Sequence, residues 1–146
     1  MKEVPTSPGC FVCGKKNPIG LKLQSMYEEG LVEATFRPKE EHIGYENIVH
    51  GGIITSLLDE VMVWVPWTKT EDYFFTGEIT VRFAKPLEFG TEVTATARIV
   101  QEGKRVFETE AELKDAAGTT YATAKGKYVR MKEDLSRKMK ARMEGS

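Results

Sequence analysis

The sequence predicts an α+β fold in which one strongly curved antiparallel sheet wraps around one long helix. Three observations predict it. Residues 51–64 carry apolar side chains at helical spacing over a broad face, which suits a helix enclosed by a sheet rather than one lying on it. Four strand-like stretches follow, with connections too short for a parallel crossover of about a dozen residues. Two further strand-like stretches come before the helix.

Residues 1–20 are rich in Pro and Gly and read as an irregular arm. Leu21 to Tyr27 alternates with period two, Glu29-Gly30 turns, and Leu31 to Phe36 alternates again, a hairpin ending at Pro38. Residues 38–50 are polar and turn-rich and read as a loop. In the helix Ile53, Ile54, Leu57, Leu58, Val61, Met62 and Val65 form the apolar face, and Pro66 is expected to close it. The later strands are expected at Phe74–Phe83, Glu92–Gln101, Arg105–Leu113 and Thr120–Met131. They are separated by Pro86 with Gly90, by Glu102-Gly103-Lys104 and by Asp115-Ala116-Ala117-Gly118. From Lys132 on, Leu135, Met139 and Met143 at helical spacing predict a short surface helix or tail over residues 132–146.

The 146 residues suit a single domain, residues 1–146, and no repeat or linker divides them. A net charge of −1 gives no general attraction to nucleic acid or to an anionic membrane. The longest apolar run is far short of the roughly 20 residues a bilayer span takes. The N-terminus lacks the apolar stretch of a signal peptide, so the expected compartment is the cytoplasm. The two cysteines, Cys10 and Cys13, lack the second pair that completes a structural zinc site. Two thiols packed in the arm are the leading reading, ahead of a zinc shared between two chains and of a redox dithiol.

Chemistry is concentrated at the helix. His50-Gly51-Gly52 enters it, and two glycines there leave backbone N–H groups unobstructed and without intrahelical partners. The helix dipole makes that end a place for an oxyanion, although a glycine pair at such a point is more often a plain turn. Asp59 lies inside the apolar stretch and is expected on its apolar side as a base or nucleophile, with neighbouring Glu60 on a solvated face. Gly51 and Asp59 are eight residues apart, roughly 12 Å along one helix, too far to act on one carbonyl. Two antiparallel copies would bring one chain's Gly51 to the other's Asp59, so an enzyme built this way is at least a dimer.

The run from Gly44 to Glu60, with His50-Gly51-Gly52 and Asp59 at its centre, resembles the signature of the PaaI-type acyl-CoA thioesterases of the hotdog superfamily. Thr76 to Pro86 is similar to the strand that follows the helix in that family, and the Cys-x-x-Cys-Gly-x-x-Asn-Pro-x-Gly-Leu run at residues 10–21 to the opening of many members. The resemblance implies a hotdog fold and hydrolysis of an acyl-CoA to free acid and coenzyme A, with no metal or cofactor. It implies Asp59 as general base or nucleophile, Gly51 as oxyanion donor and Thr76 as the residue orienting water. His50 and Gly52 would shape the substrate site, with Asn47 and His42 as weaker candidates. Self-association as a homodimer or homotetramer is implied as well. Arg82, Lys85, Lys104, Arg105, Lys125 and Lys127 are candidates for the coenzyme A phosphates, without a choice among them. Trp64, Trp67, Tyr73, Phe74 and Phe75 read as core or interface residues, some of them open to an acyl channel. Two other functions stand beside hydrolysis: hydration or dehydration of enoyl thioesters, and non-catalytic binding of acyl-CoA. The His-Phe-Pro-like sequence of the dehydratase type is absent.

Overall fold

Alternating apolar residues become strands and the broad apolar stretch becomes a helix in the computed structural model, which describes residues 1–143. The strands are β1 (Lys2–Glu3), β2 (Ser25–Glu28), β3 (Leu31–Phe36), β4 (Phe74–Phe83), β5 (Val93–Gln101), β6 (Val106–Asp115) and β7 (Thr120–Arg130). The helices are α1 (Gly51–Thr70) and α2 (Glu133–Arg142). One antiparallel sheet runs β1-β2-β3-β5-β6-β7-β4, and α1 packs on β3, β4, β5, β6 and β7.

The inner face explains how the sheet can close on the helix. Ala34, Ala95, Ala97, Ala111, Ala122 and Ala124 are all buried, and Ala97, Ala111 and Ala124 lie in register across three strands. Such short side chains leave the space into which Leu57, Leu58, Val61, Met62 and Val65 pack, each with no exposed surface. Burying each of these larger side chains contributes about 1.5–3 kcal/mol.

The structure departs from the sequence expectations in three places. The first hairpin strand begins at Ser25 rather than Leu21, because Lys22 takes a left-handed φ of 54°. The N–H groups of Leu21 and Leu23 bond instead to the carbonyls of Phe11 and Val12, tying the arm to this segment. The arm itself supplies β1, which adds an edge to β2.

The third departure is Pro66, which lies inside α1 instead of closing it. Proline has no N–H to give the Met62 carbonyl four residues back, a loss that can cost about 3 kcal/mol within a helix. Here the buried Thr109 hydroxyl of β6 donates to that carbonyl at 3.4 Å. The helix then runs on to Glu71, whose left-handed φ of 61° and N–H bond to Trp67 O end it. Near the C-terminus Ser136 of α2 is buried and accepts from Tyr73 N–H, while Leu135 is exposed. Met139 and Met143 pack on the core, and residues 144–146 of the expected tail lie outside the described residues.

Candidate active site

The N-terminus of α1 is organised by its histidine. His50 is the cap residue, and its Nδ1 accepts the Gly52 N–H at 2.8 Å, which places the ring proton of the neutral imidazole on Nε2. Gly52 permits this, because a Cβ there would stand 3.0 Å from His50 Nδ1. The N–H groups of Ile53 and Ile54 both go to His50 O. Among the described residues nothing accepts from Gly51 N–H. It is therefore the donor that the helix end leaves free, and the Gly52 N–H is not.

The loop before the helix is fixed from two sides. Val49 N–H bonds Leu87 O and Phe89 N–H bonds Asn47 O, while His50 N–H bonds His42 O. His42 Nδ1 accepts from Lys39 N–H, its ring is tilted against Phe36, and burial holds its pKa below the usual range. The side chain of Asn47 is exposed. A cavity of about 450 Å³ opens at the helix end, lined by Tyr45, Ile48, His50 and Gly51. The Phe83 ring, at the far end of β4, stands 3.4 Å from where a Gly51 Cβ would be.

Two turns along α1, Asp59 is partly exposed and held from two strands. The Thr76 hydroxyl of β4 donates to its Oδ1 at 2.9 Å, and the Tyr128 hydroxyl of β7 donates to the same oxygen at 2.8 Å. No described side chain bonds Oδ2. Thr76 is aimed here by a bulge, since the β4–β7 register shifts between Thr76 and Glu78. Tyr128 is fully buried, and burial, then the Asp59 charge, pushes its pKa far up, so it remains a donor. The structure thus joins Thr76, expected to orient water, directly to Asp59, and leaves Gly51 at the other end of the same stretch of helix.

Tyr128 was not foreseen, yet the sequence marks it. Gly126 interrupts a strand interior, which often signals a close approach. A Cβ at Gly126 would stand 2.5 Å from the Tyr128 ring and 2.9 Å from its hydroxyl.

The expectation for the two acids is reversed. Glu60, expected in solvent, is 9 % exposed and accepts from Trp64 Nε1 at 3.0 Å. Burial first, and then the Cys10 charge, push its carboxyl up to about 7. Asp59 is the more accessible of the pair because its side of α1 faces β4, the last strand of the sheet, where cover is incomplete.

Of the basic candidates, Arg82 and Lys125 line a groove of about 440 Å³ on the outer sheet face with Arg98, Glu110 and Glu112, and Lys127 lies 3.8 Å from Glu78. The aromatic residues form edge-on pairs, Trp64 with Trp67 and with Tyr73, and Phe74 with Phe107. Phe75 is exposed on β4.

Residues 46–122 match the model of the thioesterase superfamily. A protein of Archaeoglobus fulgidus named as an esterase is 29% identical over 108 residues, covering 74% of this chain and 70% of its own. The PaaI protein of the Escherichia coli phenylacetic acid degradation operon superposes with a TM-score of 0.72 at 23% identity, over 77% of this chain and 81% of that one. A Streptococcus mutans protein solved with acetyl CoA gives 0.71 at 19% identity, over 75% and 88%. The sheet wrapped on α1 is the hotdog fold of these thioesterases.

Proposed function

We propose that this chain, which belongs to the thioesterase superfamily, hydrolyses an acyl-CoA thioester to free acid and coenzyme A at a site shared between two copies. The observation that carries the reading is Asp59, a carboxylate with one oxygen held by Thr76 and Tyr128 and the other clear of described side chains. Two hydroxyl donors on Oδ1 fix the plane of the carboxylate, so Oδ2 meets a reactant in one orientation.

As general base, Asp59 takes a proton from water while the water oxygen bonds to the acyl carbon. The carbonyl oxygen gains the negative charge, a Gly51 N–H at the positive end of α1 stabilises it, and the thiolate then leaves with the proton that Asp59 returns. As nucleophile, Asp59 would instead bond to the acyl carbon itself and release coenzyme A before water cleaves the anhydride. The acetyl CoA bound to the Streptococcus mutans protein supports the choice of acyl-CoA as substrate.

The edge of the sheet supports the shared site. β4 is a ten-residue edge strand, with β7 on one side and no described strand on the other. Its Thr76 end bonds Asp59, and its Phe83 end lies over Gly51. Antiparallel pairing of β4 with a second β4, centred near Ile79 and Thr80, sets each Thr76 end beside the partner subunit's Phe83 end. The partner subunit's Gly51 is thereby brought toward Asp59, which one helix cannot do for itself.

The test is release of free thiol from short, medium, long and aryl acyl-CoAs. Steady turnover that Asp59→Ala abolishes is expected, and turnover that survives the substitution overturns the reading. Mixing inactive Asp59→Ala with an inactive Gly51→Pro chain, which lacks the N–H, should restore one intact site per mixed dimer. A fully active monomer would overturn the shared site. Single turnover in ¹⁸O water bears on the route, since label in Asp59 arises only in the nucleophilic one, when water cleaves the anhydride at the Asp59 carboxyl carbon.

A further inference from the structure

A second group of reactive side chains lies on the opposite side of α1 from Asp59. We propose that Cys10, Cys13 and Glu60 form a binding site for a thiophilic divalent cation, zinc foremost, with a fourth position open to the adjoining aromatic cavity. The ligand atoms of these three residues all lie within 4.8 Å of one another. Tetrahedral zinc, with Zn–S of about 2.3 Å and Zn–O of about 2.0 Å, asks for separations of about 3.5–3.8 Å. Small side-chain rotations therefore complete the site.

The turn that carries the cysteines is built in advance. Cys10 N–H bonds Ser7 O, Gly14 N–H bonds Cys10 O, and Lys16 N–H bonds Pro8 O. Cys10 Sγ accepts from the N–H groups of Val12 at 3.3 Å and Cys13 at 3.4 Å, an arrangement that favours a thiolate there. Gly14 closes the turn so tightly that a Cβ would stand 2.4 Å from Pro8 O. Such a close fit holds the two sulfurs on one side of the loop.

Glu60 supplies the independent observation. A carboxylate this buried is costly without a cation, and among the described residues it forms no ion pair, its hydrogen bonds being those from Trp64 and from the Cys13 thiol. With their protons released on binding, Cys10, Cys13 and Glu60, with no basic side chain in the group, would make a set of three anionic ligands. Soft sulfur with one oxygen suits zinc rather than magnesium or calcium. Three protein ligands leave one coordination position, and a cavity of about 180 Å³ lined by Ser7, Trp67, Tyr73 and Met139 adjoins it. The Tyr73 hydroxyl, buried and without a hydrogen-bond partner among the described residues, lines the same cavity and can serve a water or small ligand at that position. The metal would fasten the N-terminal arm to the helix residue next to Asp59. This inference stands whether or not the chain hydrolyses acyl-CoA.

The test uses the full chain without an affinity tag, reduced, stripped with chelator and titrated with cobalt(II). One equivalent per chain is expected, with a thiolate-to-cobalt charge-transfer band, intense tetrahedral d–d bands, and displacement by zinc. Cys13→Ser, which leaves one thiolate, should lose about half or more of the charge-transfer intensity. Glu60→Gln, close in shape and so expected to fold, should keep it while the apparent Kd rises about tenfold or more. Should Cys13→Ser fail to fold, Glu60→Gln decides. Absence of the thiolate band in the reduced protein overturns the proposal, as does equal affinity in Glu60→Gln. A Cys10–Cys13 disulfide in the fresh protein, followed by no cobalt uptake after reduction, overturns it in favour of a redox pair.

Discussion

Asp59 and Glu60 are neighbours on α1, one bond apart in the chain and about 100° apart around the helix. Asp59 meets hydroxyls from β4 and β7 and stays within reach of solvent, whereas Glu60 meets an indole and two thiols under cover of the arm. The difference comes from what each direction faces. The sheet ends at β4, so the Asp59 side is closed by strands and then by nothing further among the described residues. The Glu60 side is roofed by residues 7–13, by α2 and by the residue that caps it, so that Ser7, Cys10, Cys13, Met139 and Met143 close the cavity. The two proposed roles follow this division, the accessible carboxylate for turnover and the covered one for a metal.

Substitution of the two acids separates these roles most sharply. Asp59→Asn keeps shape and removes the proton acceptor, so kcat for thiol release should fall by about 10²–10⁴ while the unfolding temperature holds. Glu60→Gln should show no comparable loss. Equal losses would mean that the two sides of the helix are not functionally distinct. Next in size is Tyr128→Phe, which removes a buried donor to a charged oxygen worth about 1.5–3 kcal/mol. If that bond counts fully in the transition state, kcat falls by about 10–100-fold with KM little changed. A purely structural Tyr128 would change stability and leave kcat alone.

Two substitutions probe the scaffold. Gly126→Ala forces a Cβ to within 2.5 Å of the Tyr128 ring, and overpacking of this kind costs about 1–3 kcal/mol. It should lower kcat as well, and its activity loss should overlap that of Tyr128→Phe instead of adding to it, because both act on one hydrogen bond. Thr109→Val preserves volume and withdraws the donor from the Met62 carbonyl that Pro66 leaves unpaired. A loss of about 1–2 kcal/mol in denaturant unfolding is expected, with activity per folded molecule retained.

Local patterning carried most of the fold. Strand and helix periods, together with connections of a few residues, are properties of neighbouring residues, and they placed β3 to β7 within two positions and the start of α1, whose end lies at Thr70 instead of Pro66. The misreadings at Lys22 and Pro66 arose where a distant partner decided the outcome: carbonyls of the arm for Leu21 and Leu23, and Thr109 for Pro66. The candidate site follows the same rule. His50 and Gly51 stood out as candidates by motif and spacing and Thr76 by resemblance alone, while the capping bond from Gly52 N–H to His50 Nδ1 was not foreseen. Which of Asp59 and Glu60 is covered depends on where residues 7–13 fold back, a contact some fifty residues away in sequence that helical periodicity cannot encode. Tyr128 is a further case, lying 69 residues from Asp59, with Gly126 as its one local sign.

β7 carries a second tyrosine–aspartate pair, and it sets the scale for the first. Tyr121 donates to Asp115 Oδ2 at 2.9 Å, much as Tyr128 donates to Asp59, but Tyr121 is only half-buried, at the β6–β7 turn, whereas Tyr128 is fully buried. Asp115 also accepts the N–H groups of Thr119 and Ala117, and the Thr119 bond is the largest cause of a carboxyl pKa below the usual 3.8. A lowered pKa favours the folded state above the ordinary carboxylate value, and that contribution fades as pH falls through the folded-state value. Asp115→Asn should therefore lower the unfolding temperature slightly at neutral pH and converge with the parent in strong acid. Tyr121→Phe should have the smallest effect of all, because water can reach and replace the half-buried Tyr121 hydroxyl and cannot do so for the fully buried hydroxyl of Tyr128. If Tyr121→Phe proved as damaging as Tyr128→Phe, burial would not be what gives the Asp59 pair its weight.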